Sequence, residues 1–257
     1  MKYIDIHSHL NFPDYNHDRE AVIERAQKAG VGMITIGTDI ESSKKAVALA
    51  DANEDMWAIV GVHPMDAHTP NGSDDISALS ELAAHPKVVA IGECGLDYFH
   101  GKPEDMPRQR EIFDWHINLA NKVNKPLMLH VRNGKTGNAY QEVIGILKEK
   151  SKVRANFHFF AGTLQDAQDI VAMGNTVSFT GVLTFARNYD EIVKEIPLES
   201  IMSETDCPFV APLPHRGKRN EPGYVIETVK KIAEIRGEDE ATVEARLVAN
   251  AQEFFRF

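Results

Sequence analysis

The chain opens with the stretch Tyr3-Ile4-Asp5-Ile6-His7-Ser8-His9-Leu10, in which apolar and polar residues alternate. This two-residue period predicts a β-strand with one face against a core. On such a strand Asp5, His7 and His9 project to the same side. Two imidazoles placed in this way can bind a metal ion, and Asp5 could orient one of them from behind. Two partly exposed histidines on an edge strand are the alternative interpretation of this stretch alone.

Seven further apolar runs follow this first strand, and each strand pattern leads into a helical pattern. The predicted strands are 3–10, 31–37, 57–62, 88–92, 126–131, 153–158, 176–179 and 201–204, and the predicted helices are 19–29, 41–53, 74–84, 107–123, 140–148, 164–173, 190–195, 221–236 and 238–255. Short strands that are apolar on both faces are typical of a parallel sheet covered by helices. Eight such units predict an α/β fold, a single-domain (β/α)8 barrel of the TIM type over residues 1–257.

Composition limits the class of protein. The 43% hydrophobic content is ordinary for a soluble globular protein, and no apolar run is long enough to span a bilayer. Two cysteines form no disulfide framework, so we expect a cytoplasmic protein, and we expect a monomer. The net charge of −10 argues against a protein that coats nucleic acid nonspecifically, although it says less about a small site with its own cations.

Side chains that can bind metals collect at the ends of five predicted strands. Because the carboxyl ends of barrel strands share one mouth, we expect them to lie close together. Taken singly, each could be a hydrogen-bonded core residue, a helix cap or part of a turn. Together they would be destabilising if buried without a cation. Six ligands exceed the three that one catalytic metal needs, which favours two ions of Mg²⁺, Mn²⁺ or Zn²⁺ with Glu93 as the bridge. The six are His7, His9, Glu93, His130, His158 and Asp206.

At these positions the sequence resembles the TatD family of metal-dependent deoxyribonucleases, over essentially the full chain and with the motifs in the family's order. The matching motifs are His7-Ser8-His9, Gly61-Val62-His63-Pro64, Ile91-Gly92-Glu93-Cys94-Gly95-Leu96-Asp97-Tyr98, Gln109-Arg110-Glu111-Ile112-Phe113, Leu129-His130-Val131-Arg132, Phe157-His158-Phe159, Glu204-Thr205-Asp206-Cys207-Pro208-Phe209, Asn220-Glu221-Pro222 and the segment from Asn250 to Phe255. Two residues depart from the family's usual pattern. Val131 stands where Ser is common and Phe159 where Cys is common, and we expect both to face away from the metals.

The resemblance implies an amidohydrolase-type barrel that hydrolyses DNA phosphodiester bonds. It also implies that His7 and His9 bind one metal and that His130 and His158 bind the other. Glu93 would bridge the two metals, and Asp206 would bind the first metal or act as the catalytic base. A water acidified by both metals would attack phosphorus in line and give its proton to Asp206. We expect DNA as the substrate, single-stranded or at its ends and cleaved exonucleolytically, and no membrane partner.

Several further residues are candidates for substrate binding. Arg132 could clamp a phosphate, and His63 could contact a phosphate, support a ligand or belong to a turn. The loop cations Arg216, Lys218 and Arg219 could attract a nucleic-acid backbone or be solvated. The aromatic residues that could stack on bases, or pack in the core and loops, are Phe12, Tyr98, Phe99 and Phe185. Cys94 and Cys207 adjoin proposed ligands, and we expect both to be packing residues.

Two other classes of function remain open. The same barrel and ligands could hydrolyse an amide, a lactone or an ester, including the ester of an aminoacyl-tRNA. A nuclease needs an open groove with phosphate-binding cations, whereas those enzymes favour a closed apolar pocket, except that a tRNA deacylase would share the groove. A metal-binding adaptor without activity would need a broken ligand position, and none of the six is broken.

Overall fold

Eight strands form one parallel sheet in which each strand pairs with the next along the chain. The computed structural model describes residues 1–68, 77–135 and 137–257. The strands are β1 (Tyr3–Ser8), β2 (Val31–Ile36), β3 (Met56–Val60), β4 (Val88–Asp97), β5 (Leu127–Arg132), β6 (Ala155–Phe157), β7 (Thr176–Phe179) and β8 (Ile201–Ser203). Every predicted strand is present. The main difference is β4, which continues to Asp97 because Cys94–Asp97 pairs with β5.

Contacts between the two end strands join the sheet into a barrel. Ser8 forms an isolated parallel bridge with Cys207, and the backbone N–H of His9 donates to the carbonyl of Cys207 at 2.8 Å. Below this bridge, the carboxylate of Asp5 accepts the backbone N–H of Thr205 at 2.8 Å and also its hydroxyl. The order of the strands and this junction confirm the predicted (β/α)8 barrel.

A β-bulge in β1 changes the role expected for Asp5. Between Asp5 and Ser8 the register against β2 shifts by one residue, so simple alternation does not continue from Asp5 to the histidines. The Asp5 side chain bonds Thr205 and the backbone N–H of His7, not an imidazole. The expectation that Asp5 orients a metal-binding histidine from behind is therefore wrong. Its carboxylate joins β1 to the segment after β8.

Helices cover the outside of the barrel. They are α1 (Arg19–Lys28), α2 (Ile40–Ala52), α3 (Ala78–Leu82), α4 (Met106–Val123), α5 (Ala139–Lys150), α6 (Leu164–Ala172), α7 (Asp190–Glu195), α8 (Val225–Arg236) and α9 (Glu240–Phe255). Residues 74–76 of the predicted helix 74–84 lie outside the described residues. The predicted helix 221–236 begins only at Val225, because Pro222–Tyr224 forms a 3₁₀ turn. Within the described ranges, the structure has no helix with the length and apolarity that a membrane span requires.

The apolar core closes the barrel at its N-terminal end. Isoleucines of the first strands and two methionines fill the interior, and Phe254 and Phe255 of α9 pack against them. A larger apolar layer lies between the strands and the surrounding helices. Buried polar side chains collect at the opposite end, where the strands finish. The isoleucines and methionines that fill the interior are Ile4, Ile6, Ile34, Ile36, Ile59, Met128 and Met202.

Candidate metal centre

The structure brings the six candidate ligands together at the C-terminal ends of the strands. His7, Glu93 and His130 lie within β1, β4 and β5. The other three follow the ends of β1, β6 and β8, and they are His9, His158 and Asp206. All six are largely removed from solvent, and the most accessible side chain among them, that of Asp206, is 13% exposed.

Two β-bulges help to direct these side chains into the mouth. Glu93 lies in the bulge of β4, between Ile91 and Cys94, where the register against β5 shifts by one residue. His7 lies in the corresponding bulge of β1. A bulge turns a side chain away from the direction that strict alternation would give it, and bulges of this kind are common next to active sites.

The first group of donor atoms comprises the two histidines of the β1 segment and two carboxylates. His7 Nε2 and His9 Nε2 lie 3.3 Å apart, and Asp206 Oδ1 lies 3.9 and 3.5 Å from them. Oε2 of Glu93 lies 3.3 Å from His7 Nε2 and 3.7 Å from His9 Nε2. Four ligands around a tetrahedral zinc ion would lie roughly 3.3–3.4 Å apart. The group therefore has the size that a small divalent cation requires.

The second group surrounds the other oxygen of Glu93. Oε1 lies 2.8 Å from His158 Nε2 and 3.0 Å from His130 Nδ1, and the two ring nitrogens are 3.4 Å apart. His63 Nε2 lies 3.6 Å from the same oxygen. Each oxygen of Glu93 thus faces a different set of histidines. This is the arrangement in which one carboxylate can serve two cations.

The hydrogen bond between His130 and Asp97 is compatible with a cation in the second group. The Nε2–H of His130 donates to Oδ2 of Asp97 at 2.9 Å, since a carboxylate can only accept. In the neutral ring Nδ1 then presents a lone pair to Oε1 of Glu93, only 3.0 Å away. Two acceptors at this distance repel each other unless a cation or a proton lies between them. Asp97 was not identified from the sequence as a site residue, although it lies four positions after Glu93 on the same strand.

Electrostatics within the cluster keep its carboxylates ionised. Burial by itself raises the pKa of Glu93, but the nearby His158, His7 and His63 hold it well below its usual range. Asp206 follows the same pattern, because His9 lowers its pKa against the effect of burial. Burial lowers the pKa of His158, and its carboxylate neighbours raise it more, to about 10. Anionic oxygens that stay deprotonated beside imidazoles are a ligand set for hard and borderline cations.

Glu204 is a second carboxylate that sequence reasoning did not assign to the site. It is fully buried, and its Oε1 accepts the backbone N–H of Phe159 and lies 3.5 Å from Nδ1 of His158. The N–H contact holds Phe159 at a φ of 40°, in the left-handed region. Phe159 consequently faces the cavity, and the expectation that it faces away is wrong. Val131, in contrast, packs in the outer apolar layer as expected.

A cavity of about 370 Å³ opens directly above the cluster. Arg132 and His63, both predicted to bind substrate, are part of its wall. The guanidinium of Arg132 uses Nη1 to donate to the carbonyls of Val131 and Phe159, at 2.9 and 3.0 Å. No described residue accepts a hydrogen bond from its Nε or Nη2. The other lining residues are His9, Phe12, Thr38, Asp66, Glu93, His100, His130, His158, Phe159, Asp206 and Phe209.

The tautomer and the charge of the His63 ring, which lines this cavity, are both defined by its surroundings. The backbone N–H of Met65 donates to its Nδ1 at 3.1 Å, so the neutral ring carries its proton on Nε2. Burial lowers the pKa of His63 to about 3, which keeps the ring neutral. The side chain can therefore donate a hydrogen bond from Nε2 to an oxygen bound in the cavity.

The loop cations predicted to attract nucleic acid are not among the described residues that line the cavity. Arg219 donates to both oxygens of Asp18, at 2.8 and 2.6 Å, and its guanidinium lies over the ring of Tyr15. Arg216 lies over the ring of Phe185, 3.7 Å from its centre. Lys218 is exposed. Arg219 therefore joins the loop to the segment before α1, and it does not face the metal cluster.

The remaining predicted residues divide between the cavity and the packed layers. Phe12 lines the cavity and stacks on His9, with ring centres 4.4 Å apart. Tyr98 does not line it, because its hydroxyl donates to Glu142 at 2.7 Å. Cys94 and Cys207 are buried in the outer apolar layer, which confirms that both are packing residues.

Comparison with known proteins gives a consistent assignment. A family model described as TatD related DNase matches residues 4–256. The chain is 39% identical to "Uncharacterized metal-dependent hydrolase YabD" of Bacillus subtilis, over 98% of both chains. It is 36% identical to "3'-5' ssDNA/RNA exonuclease TatD" of Cronobacter sakazakii, over 98% of this chain and 97% of that one. The solved structure of YJJV, a TatD homolog from Escherichia coli K12, superposes with a TM-score of 0.90 at 29% identity, over 100% and 98% of the two chains.

These similarities confirm the family resemblance found in the motifs. The family model extends over residues 4–256, a range that contains the positions of all six candidate ligands. The chain therefore belongs to the TatD family of metal-dependent hydrolases.

Proposed function

We propose that this chain hydrolyses phosphodiester bonds of nucleic acid, working from a strand end, with two divalent cations held around Glu93. The observation that carries the proposal is the division of the Glu93 oxygens between two sets of histidines, at 3.3 Å from His7 and 2.8 Å from His158. His7, His9 and Asp206 would hold one cation. His130 and His158 would hold the other.

When bound, a pair of divalent cations polarises a phosphate and makes a water more acidic. The chain itself supplies the proton acceptor. Asp206 belongs to the first group, and His9 keeps its pKa low, so its carboxylate is ionised at neutral pH. A backbone N–H bond to the carbonyl of His7, 2.9 Å long, fixes the position of Asp206 in a left-handed conformation. We assign Asp206 the role of general base.

Two further side chains would orient the phosphate. Arg132 has Nη1 fixed by two carbonyls, which places the rest of its guanidinium as a preorganised donor for phosphate oxygens. His63 would donate from Nε2 to the same group. Asp66 also lines the wall, so the charge around the cavity is uneven, and the phosphate would approach from the side of Arg132.

The names of relatives support the choice of substrate. Members from Cronobacter sakazakii and Escherichia fergusonii, 36% and 34% identical, are named 3'-5' ssDNA/RNA exonucleases. We infer the same class of substrate for this chain. We also propose a cytoplasmic monomer with a single domain over residues 1–257. The continuous eight-stranded sheet supports one domain, and two buried thiols support a reducing compartment.

The direct test is cleavage of a 5′-labelled single-stranded oligonucleotide with Mg²⁺, Mn²⁺, Zn²⁺ or EDTA. We expect stepwise shortening from the 3′ end that depends on the metal and disappears in Glu93→Gln. Glu199→Gln, on the far side of the barrel, is the matched control and should remain active. If the protein bound metal but hydrolysed only amides, lactones or carboxylic esters, the nuclease proposal would be refuted.

A further inference from the structure

Large apolar side chains are exposed mainly around the mouth of the barrel. Five such side chains are exposed among the described residues, and four of them follow the C-terminal ends of β3, β4 or β8. Phe99 is 69% exposed and Phe209 is 50% exposed. Exposing a phenyl ring to water is unfavourable, so exposed rings on the segments around an open site indicate a surface for a ligand.

Both exposed rings are mounted on backbone that is fixed to the site. The backbone N–H of Phe99 donates to Oδ1 of Asp97 at 2.9 Å. The backbone N–H of Phe209 donates to the carbonyl of Asp206 at 3.0 Å, and its own carbonyl accepts the side-chain amide of Asn220. Each phenylalanine thus follows a carboxylate of the metal centre by two or three residues. Little backbone entropy would be lost when a ligand binds to these rings.

The two rings lie at different distances from the metal centre. Phe209 lines the cavity, where its ring lies 6.3 Å from that of His9, which also stacks on Phe12. Phe99 is not among the described residues that line the cavity, but its neighbour His100 is. One ring is therefore close to the metal centre and the other lies further out on the β4 side.

We propose that Phe209 and Phe99 are stacking platforms for unpaired bases of a single-stranded nucleic acid. This inference rests on the proposed function, because the phosphates of the same strand would lie at Arg132 and the metal centre. Phe209 would hold the base next to the scissile phosphate, and Phe99 would hold a base further along the strand. Flat apolar rings beside a phosphate-binding guanidinium match a nucleotide strand, which presents a base and a phosphate at each step.

The platforms would also give the protein a preference for single strands. The flat faces of bases inside a duplex are covered by their neighbours, so a ring on the protein cannot stack on them. An unpaired end offers those faces freely. Duplex ends would have to fray before they could be bound, and the fraying would reduce their rate of cleavage.

The test pairs removal of a ring with removal of a base. Phe209→Ala, Phe99→Ala and the control Leu213→Ala, which is exposed to a similar extent outside the cavity wall, would be assayed on single-stranded 12-mers. Each 12-mer carries one abasic nucleotide at a chosen distance from its 3′ end. We would measure kcat/KM with metal, and Kd by fluorescence anisotropy in EDTA, where binding is read without cleavage.

We expect Phe209→Ala to lower kcat/KM about five- to a hundredfold on intact DNA. An abasic nucleotide next to the scissile bond should lower kcat/KM of the wild type by a similar factor. The same abasic nucleotide should lower kcat/KM of Phe209→Ala little further. For Phe99→Ala, the abasic position whose loss does not add to the loss of the ring should lie further along the strand. The Kd of this variant for DNA in EDTA should rise. Leu213→Ala should behave as the wild type does.

Additive losses, in which the abasic nucleotide costs the Phe209→Ala variant as much as the wild type, would overturn the inference and leave the nuclease intact. A change of oligomeric state in Phe209→Ala would also overturn it, because the ring would then belong to a contact between copies of this chain. If the wild type cleaved no nucleic acid with any metal, the proposed function would fail first. Equal melting temperatures of the variants exclude misfolding as the cause of a loss.

Discussion

Oδ2 of Asp97 lies 2.9 Å from Nε2 of His130 and accepts a hydrogen bond from the N–H of that ring nitrogen. The opposite ring nitrogen, Nδ1, is directed at Oε1 of Glu93, 3.0 Å away. The carboxylate of Asp97 is itself held, because its Oδ1 accepts the backbone N–H groups of Phe99 and His100. The orientation of His130, a candidate metal ligand, thus depends on a carboxylate at the end of the neighbouring strand.

Replacing Asp97 with Asn should weaken metal binding at the second group. Asparagine keeps the size of the side chain but loses the charge that fixes the tautomer of His130, and changes of this kind typically cost about 10–100-fold in metal affinity. Competition with a chelator of known affinity measures the effect. Asp114→Asn, on the exposed face of α4, is the control. Unchanged metal affinity in Asp97→Asn would show that this bond does not orient the ligand.

Replacing Asp206 with Asn tests the assignment of the base. The amide cannot take a proton, so kcat should fall by about 10²- to 10⁴-fold. The amide oxygen can still face the cation, so metal content should change far less than activity. Steady-state kinetics together with metal analysis separate the two effects. Turnover equal to that of the wild type would exclude Asp206 as the base.

Replacing Arg132 and replacing Lys218 should have different effects on the KM for an oligonucleotide. Arg132→Ala removes a charged donor from the cavity wall and should raise KM for an oligonucleotide about 10- to 100-fold. Lys218 is exposed and lies outside the described cavity wall, so Lys218→Ala should change KM less than threefold at ~0.15 M salt. An equal effect of both substitutions would favour the loop cations as the main phosphate contact.

A buried histidine outside the metal centre gives the protein a pH-dependent stability. Nε2 of His116, on α4, accepts the backbone N–H of Val62 at 3.0 Å, and its Nδ1–H donates to the carbonyl of Ile112 at 2.7 Å. Burial lowers the pKa of His116 from 6.5 to about 4. The ring thereby joins α4 to the segment that carries His63.

The unfolded chain binds a proton at His116 near pH 6.5, whereas the folded chain does so only near pH 4. The contribution of His116 to the free energy of unfolding is therefore complete above pH 6.5. It is lost as the pH falls towards 4, and the free energy of unfolding decreases by up to ~3 kcal/mol in total. Urea unfolding in EDTA at several pH values should show a weaker pH dependence for His116→Gln than for the wild type. The other histidines titrate in both proteins, so equal pH dependence would contradict this account.

Much of the fold could be predicted from the sequence, because each strand is a short apolar run. The end of β4 was missed, since residues 93–97 are polar at both ends, where Glu93 and Asp97 belong to the site. Strand alternation failed at Asp5 because the bulge of β1 is set by pairing with β2, which no local pattern reveals. The same limit applies to Phe159, whose direction depends on a bond to Glu204, distant in sequence.

The grouping of the candidate ligands was predictable because His and Glu at strand ends are unusual in an apolar pattern. The residues that orient the ligands were not, because Asp97 and Glu204 are recognised only by the rings that they contact. The prediction for Arg219 was wrong because of a partner that the sequence did not reveal. Its charge suggested a role at the mouth, but Asp18, remote in sequence, provides a local partner.

Calorimetric titration of the metal-free protein with Mn²⁺ shows whether Glu93 serves two cations. We predict two ions bound per chain in the wild type. In Glu93→Gln at least one of them should be lost from the measurable range, together with nuclease activity. A single ion per chain in the wild type, or two ions bound with unchanged affinity in Glu93→Gln, would contradict the bridging role of Glu93.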